Sequence, residues 1–126
     1  MSYEWRDHTA EVELAIEAET PAGVFADAVE AFGRLIELEG DGDPACFDVP
    51  LEGTDHAARL VALLEELIYL ADTESFVPDR AEVAGARVIV EGRRAAFHPI
   101  AKAATYHGLT FEQRGDRWFA TVVLDV

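Results

Sequence analysis

The sequence predicts a two-layer α+β domain, with two α-helices packed on one face of a mainly antiparallel or mixed β-sheet. Two observations lead to this prediction. Two segments have apolar residues at helical spacing behind N-capping residues, and the last third of the chain consists of short, turn-rich segments typical of antiparallel strands. A length of 126 residues, 50% of them hydrophobic, fits a single domain spanning residues 1–126.

The first elements are two strands and a helix. Residues 12–19 alternate apolar and polar side chains without a break, which predicts a half-buried strand after a short first strand at residues 3–7. Thr20 then occupies an N-cap position and Pro21 the first helical position, where its missing N–H costs nothing. The apolar positions of this predicted helix continue at helical spacing to near Gly40.

A third strand and a second helix follow a turn at residues 41–44. Residues 46–52 predict a strand that buries Phe47, Val49 and Leu51, and Pro50 indicates an edge or an end of that strand. Thr54 and Asp55 then begin a helix predicted over residues 56–72.

The rest of the chain predicts strands only. Gly115 and Asp116 form the predicted hairpin turn between the last two, because both residue types tolerate positive φ. The predicted strands cover residues 82–90, 94–98, 101–107, 109–114 and 117–126.

The charge is strongly acidic, with 25 Asp and Glu against 10 Lys and Arg and a formal net charge of −15. Nucleic-acid binding needs cations that displace counterions from phosphates, so this surface is expected to repel RNA and DNA. It is expected to attract cations or a basic protein surface. Adaptation to high salt predicts the same composition, and both explanations stay open.

Cysteine usage and hydropathy indicate the cytoplasm. Cys46 is the only cysteine, so no intramolecular disulfide forms, and its apolar neighbours predict a small core residue. No charged-then-apolar leader and no long apolar run is present, which argues against secretion and against a membrane span.

Acidic groups mark both ends of the chain. Asp7, His8 and Glu11 lie where a turn feeds the second strand, and Asp125 with the carboxylate of Val126 closes an apolar strand. Two carboxylates held close together either raise one pKa or recruit a hard cation such as Ca²⁺ or Mg²⁺. A solvated turn and a frayed terminus are the alternatives, and the residues alone leave them open.

Common catalytic motifs are missing from the sequence. The four histidines have no zinc-ligand spacing, no serine sits in a Gly-x-Ser-x-Gly elbow, and there is no glycine-rich phosphate loop. A hydrogen-bonded structural role is the default for His107. These residues do not build a self-contained enzyme. The histidines are His8, His56, His98 and His107.

Four segments in order resemble the successive signatures of the archease family, and together they span essentially the whole chain. The last one reaches residue 126, which makes the combined signal specific although each motif alone is loose. The segments are Asp7-His8-Thr9-Ala10-Glu11, then residues 64–74, then Ala104-Thr105-Tyr106-His107, and finally Val122-Val123-Leu124-Asp125-Val126.

The resemblance implies a small α+β protein that is not itself an enzyme but activates an RtcB-type RNA ligase in tRNA splicing. Archease-like proteins promote GTP-dependent guanylylation of that ligase and so its multiple turnover. The implied partner is the ligase, with no strong direct binding of nucleic acid and no membrane.

The resemblance also implies a divalent metal, typically calcium, with magnesium or manganese as alternatives. Carried over to this sequence, its ligands are Glu11, Asp125 and the carboxylate of Val126. His8 and His107 are expected beside these ligands or facing the partner. The sequence departs from the family in two places. The family usually has Asp at the position of Glu11, and the segment 92–102 is shorter than usual.

Two other functions fit the same residues. A metal-dependent phosphoester hydrolase would use Glu11 or Asp125 as its base and His8 or His107 as its acid. An RNA-binding or chaperone module would deliver substrate to another enzyme, against the repulsion expected from the net charge of −15.

Overall fold

The computed structural model describes residues 2–8, 11–36, 42–97 and 101–126, with residues 6–8 described by their backbone alone. These residues form seven strands and two helices. In chain order they are β1 (Ser2–His8), β2 (Glu11–Ala18), α1 (Pro21–Leu35), β3 (Asp43–Pro50), α2 (His56–Glu74), β4 (Phe76–Ala84), β5 (Arg87–Arg94), β6 (Ala103–Arg114) and β7 (Arg117–Asp125).

The strands form two antiparallel sheets, one of four strands in the order β1-β2-β7-β6 and one of three in the order β3-β5-β4. The predicted α+β class, with two helices and antiparallel strands, is confirmed, and the strands divide between two sheets. Helix α1 packs against β4 and β2, and α2 packs against β6 and β4. One continuous apolar core joins both helices to both sheets.

Local sequence signals explain where the helices begin. The Thr20 hydroxyl accepts a hydrogen bond from the Gly23 amide at 3.0 Å, and the Asp55 carboxylate accepts one from the Ala58 amide at 2.8 Å. Both residues satisfy N–H groups that have no partner inside the helix. The predicted starts at Pro21 and His56 are therefore confirmed.

The helix ends differ from the prediction. Helix α1 ends at Leu35, because Ile36 adopts an extended backbone, so the predicted end near Gly40 is wrong. Residues 37–41 lie outside the described part of the chain. Helix α2 continues two residues beyond the predicted Asp72 and ends at Glu74, where Ser75 follows as the C-cap with a left-handed backbone and φ 52°.

The strands between α2 and β6 were predicted wrongly. The predicted strand 82–90 contains a hairpin turn instead, because Gly85 adopts φ +63° and separates β4 from β5. Strand β4 begins at Phe76, in a stretch for which no strand was predicted. No strand begins at Arg94, which is the last residue of β5, and His98 lies outside the described residues.

Strand β6 joins two segments that were predicted to be separate. Its pairing with β7 breaks between Thr105 and Thr110, and Gly108 in this bulge has φ +70°. The hairpin turn after β6 is confirmed, with Gly115 at φ +65°. No helix in the described segments is both long and apolar enough to cross a membrane.

The prediction of a buried cysteine is wrong, because Cys46 is exposed. It lies opposite Glu91 on the outer side of β3, while Phe47 and Val49 face the core. The strand prediction itself had placed Cys46 on the opposite side from Phe47, and that alternation holds in the structure.

Candidate functional site

The start of β2 and the end of β7 meet at one end of the four-stranded sheet. Strand β2 begins at Glu11, strand β7 ends at Asp125, and these two residues lie directly opposite each other in the antiparallel register. Side chains of directly opposed residues share one face of a sheet, with Cβ atoms about 5 Å apart. The structure thus brings two of the predicted site residues together.

This pair belongs to a row of residues that crosses all four strands. His8 of β1 lies in register with Glu11, and Ala103 of β6 lies in register with Asp125. The Lys102 amide donates a 2.8 Å hydrogen bond to the Asp125 carbonyl, which continues the pairing just beyond β6. We call Glu11, Asp125 and the adjacent Val126 the acidic tip.

The strands beneath the acidic tip are firmly held in the core. Val12 pairs with Leu124, and Leu124 is completely buried. Leu14 pairs with Val122, and both of these side chains are also completely buried. Because β7 lies between β2 and β6, neither the Glu11 nor the Asp125 backbone can shift without breaking these contacts. The carboxylates are therefore presented by a rigid element.

The acidic tip carries uncompensated negative charge. Glu11 and Asp125 are both half-buried, and neither carboxylate forms an ion pair with any side chain that the structure describes. Adjacent like charges repel, and a divalent cation with oxygen ligands relieves that repulsion. Among the described side chains no group of three His, Cys, Asp or Glu residues is close enough to hold a metal, so a third donor has to come from outside that set.

The two predicted histidines have different places. His8 is in the same row as the acidic tip through its backbone register. His107 is exposed in the β6 bulge, four residues along the strand from Ala103, or about 13 Å at the usual rise of a strand. The Thr121 hydroxyl donates to the Gly108 carbonyl at 2.9 Å and ties this bulge to β7.

Sequence reasoning missed a carboxylate that fixes β6 near the tip. Glu65 of α2 accepts a 2.9 Å hydrogen bond from the Ala104 amide, one residue after the row that contains Asp125. The sequence alone does not reveal this role, because a helical carboxylate whose partner is a distant backbone amide leaves no local pattern. A cavity of about 440 Å³ opens beside it, lined on its polar side by Glu65, Asp72 and Lys102.

A larger cavity lies elsewhere in the described part of the chain. It measures about 710 Å³ and is lined by residues of the three-stranded sheet, including Cys46, Arg80 and Glu91. Arg80 and Glu91 form an ion pair there, and Arg93 forms a second with Asp79. The charges that line this cavity pair with each other, and no residue of the acidic tip lines it. The candidate functional site is therefore chosen from the opposition of Glu11 and Asp125 and not from cavity size.

Comparisons with known proteins agree with the resemblance. The sequence profile of the Archease protein family matches residues 3–126. Protein archease from Methanosarcina mazei is 30% identical over 139 aligned residues, which cover 98% of this chain and 95% of the relative. Protein archease from Archaeoglobus fulgidus is 29% identical with both chains fully covered. A crystal structure from Thermotoga maritima, described as an archease and possible chaperone, superposes with a TM-score of 0.73 at 25% identity, covering 96% of this chain and 94% of that one.

Proposed function

The chain belongs to the archease protein family, and on that basis we propose that it is an accessory protein that activates an RtcB-type RNA ligase in tRNA splicing. In this role it promotes GTP-dependent guanylylation of the ligase, supports multiple turnover and carries out no ligation itself. The direct opposition of Glu11 and Asp125 is the observation that best supports a functional acidic tip.

We place a divalent cation, calcium first and magnesium or manganese as alternatives, at the acidic tip. The donor set fits a hard cation, because Glu11, Asp125 and the carboxylate of Val126 offer only oxygen ligands. Glu11 and Asp125 share one face of the sheet, so one ion can bridge them and offset their repulsion. Glu11 reaches one methylene further than an aspartate would, with the same charge.

The distribution of charge favours a protein partner that carries bound metal or basic groups. The net charge is −15, and most of the described arginines are already paired with acidic side chains. The remaining carboxylates attract cationic surfaces and repel phosphate backbones. An active site that handles GTP with divalent metals is such a surface, and the acidic tip enters it to deliver or orient a metal ion.

The metal site is tested by titrating the isolated protein with calcium and measuring the binding affinity by calorimetry. Asp125→Asn removes the charge of one proposed ligand and is expected to weaken calcium binding at least about tenfold. Loss of a residue that only supports a metal ligand already lowers metal affinity by about this factor. Asp116→Asn is the matched control, because it removes the same charge from the exposed hairpin turn at the other end of β7. Equal affinities of these two variants would contradict the assignment.

The activating role is tested separately, with a cognate ligase, GTP and metal. The wild-type protein and Asp116→Ala are expected to accelerate formation of covalent ligase guanylate, and Asp125→Ala is expected to lose most of that acceleration. No acceleration by the wild-type protein, or full acceleration by Asp125→Ala, would refute the proposal.

The hydrolase alternative makes a different prediction. It requires turnover of a phosphoester by this protein alone, with an acid beside the attacking base. His107 lies about 13 Å along β6 from the acidic row, which leaves only His8 in register with the carboxylates. Metal-dependent hydrolysis in the absence of any ligase would favour this alternative over the activator.

A further inference from the structure

A second site is indicated at the opposite end of the four-stranded sheet, where both helices begin. A cavity of about 230 Å³ lies between the first turns of α1 and α2 and the β4–β5 turn. Its walls are mostly apolar, and its charged or titratable lining groups are His56 and Arg59. The lining residues that matter here are Pro21, Phe25, Leu51, His56, Arg59 and Ala86.

Arg59 is unusual in so acidic a protein. Every other arginine whose side chain the structure describes has a carboxylate within ion-pair distance, and Arg59 has none among the described residues. Arg59 is also half-buried, so its guanidinium has lost part of its contact with water, and no described carboxylate replaces those interactions. A guanidinium in this state has five N–H donors available and binds carboxylate or phosphate groups with two parallel hydrogen bonds.

His56 adds a second donor to the same cavity. Its ring packs between Phe111 at 5.1 Å, Trp118 at 5.5 Å and Phe25 at 6.1 Å between ring centroids. Its Nδ1 atom is buried with no hydrogen-bond partner in the described part of the chain. An imidazole ring carries at least one N–H donor, so a ligand in this cavity can accept a hydrogen bond from His56.

Both helices begin beside this cavity. Pro21 and Ala22 are the first residues of α1, and His56 is the first residue of α2. The leading amides of a helix lack partners within it, and the helix dipole favours negative charge near them. The Asp55 carboxylate at this end of α2 accepts a hydrogen bond from the Ala58 amide as its N-cap.

From these observations we infer that the cavity is a binding site for a small organic anion, a carboxylate or phosphate carried on a short apolar group. The anionic head pairs with the Arg59 guanidinium and the His56 ring, and the apolar portion contacts Phe25 and Leu51. The volume of about 230 Å³ lies below the usual range for drug-sized ligands, so the ligand is small. This site is independent of the proposed ligase activation.

The test titrates the isotopically labelled protein separately with butyrate, inorganic phosphate and butylammonium. Binding is measured by NMR, from the chemical shifts of the backbone amides and of the Arg59 side chain. Saturable shifts at Arg59 and Ala86 are expected for the anions and not for butylammonium. If butyrate binds more tightly than phosphate, the preferred head group is a carboxylate. If phosphate binds more tightly, the preferred head group is a phosphate.

Three variants make the test specific. Arg59→Gln is expected to weaken anion binding at least about tenfold, the loss expected for a charge-assisted hydrogen bond. Arg59→Lys keeps the charge but not the planar fork, so an intermediate affinity is expected. Lys102→Gln is the matched control, because Lys102 is also a cation without an ion pair among the described residues, and it is expected to bind like wild type.

Three results would overturn the inference. They are the absence of saturable shifts with either anion, equal binding of butylammonium, and wild-type affinity in Arg59→Gln. Arg59 is only half-buried, so Arg59→Gln is expected to fold, and an unchanged amide spectrum in the absence of ligand checks this.

Discussion

The buried carboxyl group of Asp27 is expected to make the protein less stable as the pH rises towards neutrality. This side chain is 1% exposed, and neither carboxylate oxygen has a hydrogen-bond partner in the described part of the chain. Burial, with a smaller contribution from the negative charge of Glu30, raises the pKa of Asp27 from 3.8 to about 6. Ionised Asp27 at neutral pH is therefore a buried charge on the core face of α1, without a hydrogen-bond partner among the described residues.

The magnitude follows from the pKa shift. A change from 3.8 to about 6 corresponds to roughly 3 kcal/mol, at about 1.4 kcal/mol for each pKa unit. Because the folded pKa lies above the unfolded one, the folded state binds more protons between these two values. The contribution of Asp27 to stability is thus fully present below about pH 4 and is lost as the pH rises through about 6.

Asp27→Asn removes this dependence while keeping the shape of the side chain. The free energy of unfolding of wild type and variant, measured by urea denaturation across a pH series, gives a difference at each pH. That difference is expected to change by about 2–3 kcal/mol in favour of the variant between pH 4 and pH 7.5. Burial of the side-chain amide in the variant has a cost that does not depend on pH, so it does not affect the change of this difference with pH.

Glu52→Gln is the control, because Glu52 is exposed and its loss changes the net charge by the same amount. Its stability profile is expected to run parallel to that of wild type. If the Asp27→Asn profile is also parallel to wild type, the buried carboxylate does not titrate as described and the reasoning is refuted.

Three further substitutions test the packing and the caps, each by the midpoint of urea unfolding. Gly33→Ala is expected to destabilise the fold by about 3 kcal/mol or more, because an added Cβ would lie 1.8 Å from the Pro78 carbonyl oxygen; a neutral effect would show that α1 and β4 are not this close. Leu64→Ala, at a fully buried position, is expected to cost about 2–5 kcal/mol, and a loss below about 1 kcal/mol would contradict its place in the core. Asp55→Ala removes the hydrogen bond to the Ala58 amide and is expected to cost about 1 kcal/mol, whereas an unchanged midpoint would show that this cap contributes nothing.

The elements that could be predicted are those with local physical signals. The starts of both helices depend on Thr20 and Asp55, whose side chains accept hydrogen bonds from amides three residues ahead. Strand β2 was predictable because its alternation places Leu14, Ile16 and Ala18 in the core. The last hairpin depends on Gly115, which adopts the positive φ that such turns require.

The failures arose where local and long-range signals disagree. Residues 82–90 look like one apolar strand, and only the approach of β5 to β4 reveals that Gly85 turns the chain back. The start of β4 was missed as well, and its pairing register shifts immediately after Pro78, so the missing amide of this proline falls at an irregularity. Neither outcome can be read from the neighbouring residues.

The candidate site was predictable only in part, for the same reason. Glu11 and Asp125 stand at opposite ends of the sequence, and their opposition depends on the pairing of β2 with β7. Resemblance to a family provided that link, because composition alone left a solvated turn and a frayed tail as alternatives. No comparable signal exists for Glu65, whose partner is a backbone amide on another element.

The two sites proposed for this protein lie too far apart to share one small ligand. Strand β7 runs from the Arg117 end, where Trp118 contacts His56, to Asp125 in the acidic tip. Its nine residues span roughly 26 Å, well beyond the Debye length of about 8 Å at physiological salt. Direct electrostatic coupling between a cation at Asp125 and an anion at Arg59 is therefore screened. Calcium and butyrate affinities are expected to be independent, and any measured coupling has to arise from a change in the packing of β7 itself.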